Sequence, residues 1–501
     1  MLKQKHSEYR GFRRAGVRLT EELLPNLIHR SDKIVRTLYA VHMFDKAHLV
    51  MLIEESLIPR PEGIAMLKAL REMETEGIEK VRLDLQTGIY TGEQFLIRRL
   101  GEEVGGRIHL GRSSGDLTAV STRITLRDAL LMVLTKIEEF RRVLIDTAAQ
   151  NLDTVMPGFT HGQHAQPTTY GHQLLAWVSV LERDFDRLRG NYQHVNQSPA
   201  GAAIMTGSSF PLNRHRTAEL LGFDRPIKNT FDAILSHDFL LETHANLAIL
   251  HANLLRWSED LMFWSTNDVN MIDIPDRFCG TSSIMMQKKN PYATQEIKGA
   301  GAEAIGGLMT AFMVEKDPTG FPILDRSYSR QGAYRSIDTA LRDMNWLVEM
   351  IPAIKPRKGL MEERAGAWWA QATDLAAALV AEKNLPWRSA HQIVGITVRL
   401  ALERNIPPRE ISPELLDEAA ILYFDHPVSL SKEAFQRALD PRCFVQARTL
   451  YGGPGPEEVR ERLDEYESAL SGDAKFIEGA EQKLTEASQK LEAAIDTILK
   501  G

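Results

Sequence analysis

The chain has 501 residues, of which 43% are hydrophobic and 25% are charged, and its formal net charge is −7. This length exceeds what one hydrophobic core usually needs, so two or three domains are expected. No run of Lys and Arg indicates binding to nucleic acid or to an anionic membrane, and no apolar run reaches the roughly 18 residues of a membrane span. The two cysteines and the polar N-terminus predict a cytoplasmic protein without disulfides or a signal peptide.

Apolar residues recur every three or four positions along most of the chain, which predicts helices. The pattern is clearest in residues 126–149, 174–188 and 239–264. The last of these ranges is apolar on most of its faces, as expected of a helix inside a large bundle or a subunit interface. Alternating β-branched runs are scarce, so we predict an all-α fold in which any sheet is small.

Clusters of proline and glycine punctuate the chain, and we place domain boundaries near residues 110 and 365. The prediction is an N-terminal helical domain over residues 1–110, a central domain of long helices over residues 111–365 and a C-terminal helical domain over residues 366–501. The final stretch, from about Gly472, is rich in Ala, Glu, Lys and Gln and predicts one exposed amphipathic helix.

The segment 280–291 carries a glycine, two serines, two lysines and an Asn-Pro pair. Such a polar, cationic segment can fold over an anionic substrate and surround it with backbone and hydroxyl donors. Positive charge and amide groups stabilise a serine alkoxide, which could then take a proton from the carbon beside a carboxylate. Lys288 and Asn290 could stabilise the resulting dianion. The alternative interpretation is a solvated loop without a catalytic role.

The same segment resembles the signature of the fumarase/aspartase superfamily, and it is most similar to the form found in argininosuccinate lyases. Thr281 and Met286 take the places of a glycine and a proline in that form. The resemblance implies that Ser282 is the base that removes the Cβ proton, with Ser283 as the second candidate. It further places three residues of the segment at the substrate, namely Met285, Lys288 and Asn290.

Two further stretches resemble parts of the argininosuccinate lyase site. Residues 156–167 resemble a block that carries Thr160 and His161 into the site, where a histidine suits proton transfer near neutral pH. The alternative is that His161 is a packed histidine at the start of a helix. Arg112 and Ser113 resemble a loop that binds a substrate carboxylate, which a guanidinium matches with two parallel hydrogen bonds.

Some positions in these stretches depart from the family pattern. Ser114 and Gly115 replace an Arg-Asn pair, and Gln295 replaces a glutamate that orients the histidine corresponding to His161. A neutral glutamine cannot stabilise an imidazolium to the same degree as a glutamate. We therefore keep Gln295 only as a candidate for contact with the substrate.

Additional arginines follow in the stretch that corresponds to a Tyr-Asn-Arg-Asp region of the family. Arg326 and Arg330 could bind extra substrate carboxylates, or they could form surface salt bridges. The same alternatives apply to Arg13, Arg14 and Arg18 near the N-terminus. Because changed contacts usually change which substrate is accepted, we expect an N-substituted aspartate or an amino-polycarboxylate, and not necessarily argininosuccinate.

The resemblance implies a three-domain all-α fold whose central helical bundle forms the core of a homotetramer with active sites shared between subunits. It implies a carbon–nitrogen lyase that eliminates an amine from its substrate and releases fumarate. Because the sequence shows no metal-ligand spacing and no nucleotide-binding loop, we expect no cofactor. The expected partners are a small-molecule carboxylate substrate and further copies of the chain. Three alternatives stay open: a true argininosuccinate lyase, a lyase of the ethylenediamine-disuccinate type, and a non-catalytic relative of the lens-crystallin kind.

Overall fold

The structure is a computed structural model that describes residues 34–85, 87–316, 320 and 324–501. Arg13, Arg14 and Arg18 therefore lie outside the described residues. Within this part of the chain helices dominate, and the strands form three separate two-stranded sheets, which confirms the predicted all-α fold. No helix in these ranges is both long and apolar enough to cross a membrane.

The first described helices share one apolar core. They are α1 (Leu38–Glu54), α2 (Arg60–Glu76), α3 (Ile78–Leu85), α4 (Thr91–Leu100) and α5 (Glu102–Gly105). Almost every residue of α1 is buried, because α2 and α3 pack on it together with helices from later in the chain. Burial of side chains such as Phe44 and Leu49 stabilises this core at about 25 cal/mol per Å² of apolar surface.

The middle of the chain forms the predicted bundle of long helices. Its elements are α6 (Ser114–Ala149), β1 (Val155–Thr160), β2 (Gln163–Thr169), α7 (Tyr170–Val195), α8 (Arg214–Leu220), α9 (Thr230–Leu235), α10 (Asp238–Ser265), β3 (Ile272–Asp273), β4 (Gly280–Thr281), β5 (Lys289–Asn290), α11 (Tyr292–Val314), α12 (Arg326–Met350) and β6 (Lys355–Pro356). Helices α6, α7, α10, α11 and α12 pack lengthwise on one another. Their core contains the stacked rings of Trp177 and Trp257, 5.2 Å apart.

The directions of the bundle helices decide which parts of the chain meet. At one end, which we call the cavity end, α6, α10 and α12 begin and α11 ends. There, a carboxylate oxygen of Glu315, just after α11, lies 3.3 Å from Nδ1 of His237, just before α10. At the other end, the loop end, α6 and α10 end and α11 begins. The 36 residues of α6 separate the two ends by about 54 Å.

The C-terminal helices are α13 (Lys358–Ala365), α14 (Ala372–Lys383), α15 (Trp387–Glu403), α16 (Pro413–Phe424), α17 (Lys432–Leu439), α18 (Pro441–Gln446) and α19 (Pro456–Lys500). Helices α14 to α17 bury a separate apolar core. Helix α19 begins before the predicted Gly472, and its apolar face is buried along α6 and the N-terminal core, for example at Leu491. The helix is therefore amphipathic as predicted but not free-standing. The domain boundaries near residues 110 and 365 stay a prediction.

Candidate active site

The segment that resembles the lyase signature is an exposed loop at the loop end of the bundle. The β4–β5 ladder, in which Gly280 pairs with Asn290, closes its base. A Cβ atom at Gly280 would lie 1.9 Å from the ring of Tyr292, so a larger residue here would displace that ring. Beyond the ladder, Ile284 is 84% exposed and Met286 is 91% exposed. The loop is thus anchored at its base and open to solvent at its tip.

Backbone amides of the loop donate hydrogen bonds to the side-chain oxygen of Ser282. Its Oγ accepts hydrogen bonds from the N–H groups of Met285 at 3.0 Å and Ile284 at 3.3 Å. Amide donors favour the charged form of an oxygen, so they lower the free energy of an alkoxide at this position. The hydroxyl of Ser283 is exposed and makes no hydrogen bond to a described residue. This difference favours Ser282 over Ser283 as the base.

The two adjacent lysines of the loop have different surroundings. Nζ of Lys289 forms ion pairs with Asp273 at 2.9 Å and with Asp276 at 2.7 Å. Burial by itself would lower the pKa of Lys289, but the two carboxylates raise it above its usual value. Lys288 is exposed and pairs with no carboxylate of the described residues. Lys288 is therefore the lysine of this loop whose charge is available to a substrate.

Thr160 and His161 lie at the exposed tip of the β1–β2 hairpin, also at the loop end. Thr160 pairs with Gln163, and φ is 55° at His161 and 72° at Gly162. Positive φ at both central residues is the mark of a type I′ hairpin turn, which often has glycine at its second position. The alternative that His161 is a packed histidine at a helix start is therefore wrong.

Met285 and Gln295 are also at the loop end. Met285 lies in the exposed loop, where its backbone N–H donates to Ser282. Gln295 lies in the first turn of α11, and its side chain is exposed. Neither residue lines the cavity at the opposite end of the bundle.

A cavity of about 290 Å³ lies at the cavity end of the bundle. Its walls are formed by the residues before α1, the turn before α4, helix α9, the starts of α6, α10 and α12, and the loop between α7 and α8. Polar side chains in the walls are those of Thr37, Tyr90, Ser114, Thr118, Ser121, Thr122, Arg123, His237, Arg326, Ser327, Arg330, Gln331 and Tyr334. Apolar side chains include those of Ile89, Ile204, Ile234, Phe239 and Leu324. Two of the predicted substrate-binding residues, Arg326 and Arg330, are therefore in this cavity.

Arg112 does not line the cavity, although it lies just before α6. Its side chain is buried and donates to the Asp45 carboxylate at 2.8 Å, and Arg82 donates to the other oxygen of Asp45 at 2.7 Å. Burial by itself would raise the pKa of Asp45, but the two arginines lower it below its usual value. Within one copy of the chain, the Arg112 guanidinium thus neutralises a buried acid, and its binding of a substrate carboxylate stays a prediction.

Ser113 is the N-cap of α6. Its Oγ accepts hydrogen bonds from the N–H groups of Gly115 and Asp116, and the Asp116 carboxylate accepts the N–H of Ser113 at 3.0 Å. This reciprocal capping box occupies the hydroxyl that was expected to bind substrate. Ser113 therefore caps α6, and its contact with substrate stays a prediction.

The departure from the family pattern at Gly115 has a steric reason. A Cβ atom at Gly115 would lie 2.6 Å from Cδ1 of Ile204. Ile204 has a φ of 75°, a conformation that is costly for a β-branched residue. Asp116 holds it by accepting the N–H groups of Ala203 at 3.0 Å and Ile204 at 3.1 Å. An isoleucine side chain thus occupies the wall where the family has an asparagine.

The charged groups of the cavity are buried or half-buried. Nε of Arg326 lies 3.4 Å from the Glu315 carboxylate, which also faces His237. Burial lowers the pKa of His237, with Glu315 acting in the opposite direction. Burial also lowers the pKa of Arg330, and no carboxylate of the described residues forms an ion pair with it. Neither arginine is in a surface salt bridge, which was the alternative for both.

The described chain therefore holds its candidate residues in two groups at opposite ends of the bundle. Ser282, Lys288 and His161 are at the loop end, and Arg326 and Arg330 are at the cavity end. The 23 residues of α11, which join the Ser282 loop to the cavity end, span about 35 Å. A small dicarboxylate cannot contact both groups within one copy of the chain. Among the described residues, no three or more His, Cys, Asp or Glu side chains are placed to hold a metal ion.

Most of the cavity residues were not found from the sequence, among them Thr118, Ile204 and Tyr334. Tyr334 follows Arg330 by four positions on α12, so the helical period was the available signal that the two share a face. Ile204 follows a Pro-Ala-Gly cluster that indicated only a chain break between helices. Nothing in the sequence indicated its strained backbone.

Comparisons with known proteins identify the family of the chain. The profile of a family described as lyase matches residues 56–306, and that of the argininosuccinate lyase C-terminal family matches residues 369–446. Argininosuccinate lyase of Methanocaldococcus jannaschii is 37% identical over 441 residues, which cover 85% of this chain and 88% of the relative. Argininosuccinate lyase of Methanosarcina mazei is 36% identical over 465 residues, which cover 91% of this chain and 92% of the relative.

Solved structures show the same fold. A crystal structure of EDDS lyase in complex with formate superposes with a TM-score of 0.87 at 30% identity and covers 96% of this chain and 97% of that one. A class II fumarase from Schistosoma mansoni superposes with a TM-score of 0.65 at 17% identity and covers 80% of this chain and 93% of the fumarase. At that identity the fumarase supports the fold alone.

The helical bundle, the serine-bearing loop and these matches define a lyase of the fumarase/aspartase superfamily, to which the chain belongs. Within the superfamily it is a member of the argininosuccinate lyase branch. It is a carbon–nitrogen lyase that eliminates an amine and forms fumarate. The family and the reaction class predicted from the sequence are confirmed.

Proposed function

We propose that the enzyme eliminates the amine of an N-substituted aspartate at a site built from different copies of the chain, with Ser282 as the base. The observation that carries this proposal is the distance between the two groups of candidate residues. The loop end contains the hydrogen-bonded Ser282 and the unpaired Lys288. The cavity end contains a cavity lined by arginines. Neither end alone can bind and deprotonate a substrate.

In the proposed reaction, the Ser282 alkoxide takes the proton from Cβ of the aspartate portion. The electron pair left on carbon is delocalised into the adjacent carboxylate, where Lys288 and Asn290 stabilise the developing dianion. The pair then forms the C=C bond of fumarate while the C–N bond breaks. The amine leaves with the electrons of that bond and takes up a proton, which we assign to the Thr160–His161 hairpin.

The surface of α11 supports assembly from several copies. Its 23 residues include only four buried ones, Thr294, Ile297, Gly301 and Ala311. Large apolar side chains of the same helix are exposed, among them Met309, Phe312 and Met313. A two-fold axis across the bundle would cover this face and lay the loop end of one copy on the cavity end of another. We therefore propose the homotetramer implied by the family. A cytoplasmic location also stays a prediction.

The argininosuccinate lyases and the EDDS lyase suggest two alternative substrates by their names. Addition of fumarate to a panel of amines distinguishes them, because the reverse reaction joins fumarate to whichever amine the site accepts. A product from arginine supports a true argininosuccinate lyase, and a product from ethylenediamine supports the EDDS type. The absence of any fumarate-dependent product, with a folded oligomer, would support the non-catalytic alternative.

The base is tested by Ser282→Ala, with Ser283→Ala as the matched control in the same exposed loop. We expect Ser282→Ala to lower the turnover number by about 10³-fold, because no other group coordinated by the loop can take the proton. Ser283→Ala should stay within a few-fold of wild type. The measurement is the ultraviolet absorbance of fumarate. Full activity of Ser282→Ala would contradict the proposed mechanism.

A further inference from the structure

We propose that Ile204 is a specificity-determining residue of this enzyme, and that the part of the amine beside it is an uncharged, apolar carbon group. This inference rests on the proposed function, because it assumes that the cavity holds the amine portion of the substrate. It names a substrate class different from a guanidino compound or a diamine, since neither of these ends in an apolar group.

One side of the cavity is apolar. There the first turns of α6 meet α9 and the loop between α7 and α8. We call this side the apolar corner, and the residues that line it are Gly115, Ala119, Ile204, Ala233, Ile234 and Leu235. The residues from α9 belong to a buried apolar cluster, on which Ala119 and Ile204 pack. A Cβ atom at Gly115 would lie 2.6 Å from Cδ1 of Ile204 and 3.3 Å from Cγ2 of Ile234, so both isoleucines close over this glycine.

Backbone N–H groups around the apolar corner are already used within the protein. Oγ of Ser113 accepts the N–H groups of Gly115 at 3.0 Å and Asp116 at 3.4 Å. The Asp116 carboxylate accepts those of Ala203 at 3.0 Å and Ile204 at 3.1 Å. A polar group of the substrate placed here would lose its hydrogen bonds to water and gain none from these four N–H groups. The corner therefore favours a carbon group.

Ile204 is held at this position in a strained conformation. Its φ of 75° lies in the left-handed region, which a β-branched residue rarely adopts. Asp116, which fixes its N–H group, is fully buried and also accepts the N–H of Ser113 at 3.0 Å and its hydroxyl at 2.9 Å. One carboxylate thus ties the strained loop to the start of α6. Strain that is held in place beside a cavity is typical of residues that shape a ligand site.

Gly115 and Ile204 depend on each other sterically. A side chain at position 115 would need the space that Ile204 occupies. The family pattern has an asparagine at this position, and its amide can both donate and accept hydrogen bonds. In this chain the amide is missing and the isoleucine closes the wall. The pair therefore exchanges a polar contact for an apolar one, a change that alters which substrate is accepted.

The volume of the cavity limits the size of the carbon group. About 290 Å³ is at the small end of ligand pockets, which usually have roughly 300–1,000 Å³. The cavity therefore suits a short or branched alkyl chain.

The experiment adds fumarate to isopentylamine or to 3-aminopropanamide with the wild-type oligomer and follows the adducts by mass spectrometry. The two amines have the same shape, but one ends in an isopropyl group and the other in a carboxamide. We expect isopentylamine to react at least about tenfold faster, because only the carboxamide loses hydrogen bonds to water at the corner. Equal rates, or a faster reaction of 3-aminopropanamide, would overturn the inference.

Truncation of Ile204 tests whether this residue is responsible. Ile204→Ala should lower the rate with isopentylamine about tenfold more than the rate with 3-aminopropanamide, and the loss should appear in KM for the amine. Met205→Ala is the matched control, because Met205 follows in the same loop and packs on the same cluster but does not line the cavity. Equal losses with both amines in Ile204→Ala would indicate a structural role and overturn the assignment.

A reciprocal exchange tests the steric dependence of the two positions. Gly115→Asn alone should slow the reaction of both amines, because its side chain overlaps Ile204. Gly115→Asn combined with Ile204→Ala should regain activity and prefer 3-aminopropanamide, since the corner then carries an amide. A double variant that is folded and still prefers isopentylamine would contradict the inference. Circular dichroism establishes folding, and if Gly115→Asn does not fold, Ile204→Ala decides.

The outcomes separate this inference from the proposed function. Adducts from arginine or ethylenediamine, with none from isopentylamine, would overturn the inference and leave the lyase proposal standing. No adduct with any amine would overturn both.

Discussion

The two ends of the helical bundle differ in how they hold their functional groups. At the cavity end, Arg123 and Arg326 are buried and fixed by neighbours, and Asp116 fixes the strained loop at Ile204. At the loop end, Ser282 and His161 are presented on two short hairpins that project into solvent. We infer from this difference that the two ends have different roles. The rigid cavity end determines which ligand binds, and the exposed loop end transfers the protons.

The difference between the two ends follows from their secondary structure: helices form the cavity end, and short hairpins form the loop end. Long helices with buried faces hold the cavity side chains in place at no further entropic cost when the ligand binds. A loop anchored by two short strands can move over a substrate and exclude water. An exposed loop with apolar residues at its tip, Ile284 and Met286, gains most if it closes against another surface.

The largest effect on stability should come from Arg112, which lies next to the cavity end and pairs with an acid of the N-terminal core. Arg112→Ala leaves the Asp45 carboxylate buried with one cation fewer. We expect it to lower the free energy of unfolding by about 3 kcal/mol, measured by urea denaturation. An Arg112 that bound substrate would instead raise KM and leave the unfolding free energy unchanged. That result would support the predicted binding of a substrate carboxylate by Arg112.

The free energy of unfolding should depend on pH through a histidine in the middle of the bundle. His251 is buried on α10, its Nε2 donates to the Ser336 carbonyl at 3.0 Å, and no carboxylate is placed beside it. Burial lowers its pKa to about 4, and Arg342 acts in the same direction. The unfolded chain binds a proton below pH 6.5 and the folded chain does so only near pH 4. This group therefore removes stability as the pH falls through that window, by about 2 kcal/mol at about pH 5.

His251→Gln tests this pH dependence. We expect the variant to lose less unfolding free energy than wild type between about pH 7.5 and about pH 5. His391→Gln is the control, because His391 is an exposed histidine. Identical pH profiles for wild type and His251→Gln would show that His251 does not titrate differently in the folded protein.

The smallest effect on turnover should come from replacing Lys289 at the base of the Ser282 loop. Lys289→Met removes the ion pairs with Asp273 and Asp276, which are exposed and hence weak. We expect a fall in turnover of only about threefold, whereas Lys288→Met should lose most of the activity. The measurement is the steady-state rate of the best amine found with wild type. A larger loss in Lys289→Met than in Lys288→Met would exchange the roles of the two lysines.

Much of the fold could be predicted because its signals are local. The helical period predicted residues 239–264, and the structure has a helix at Asp238–Ser265. The environment of α19 was not predictable in the same way, because its burial depends on helices that are distant in the sequence. The hairpin that carries His161 was also missed. Its His-Gly turn was a usable signal, but the prolines on both sides reduce the strand character of the pattern.

The site was predictable in part. The Ser282 loop was identified by resemblance, since its residues are contiguous in the chain. The contact of Arg112 with Asp45 was not predicted, because Asp45 is 67 residues away and no local pattern joins the two. Arg326 and Arg330 were candidates from the sequence, but which of them is paired with an acid could not be predicted, since that depends on the fold. Arg326 and Arg330 look alike in the sequence, but only Arg326 forms an ion pair with Glu315 among the described residues.

The central claim is that one active site takes its loop from one copy and its cavity from another. It is tested by co-expressing Ser282→Ala with Thr118→Trp, whose indole would fill the cavity, under two different affinity tags. Each variant alone should be inactive, and doubly purified hybrids should regain roughly one quarter of wild-type activity, because one copy in two supplies each intact part. Hybrid oligomers with no activity above that of the single variants would contradict the claim.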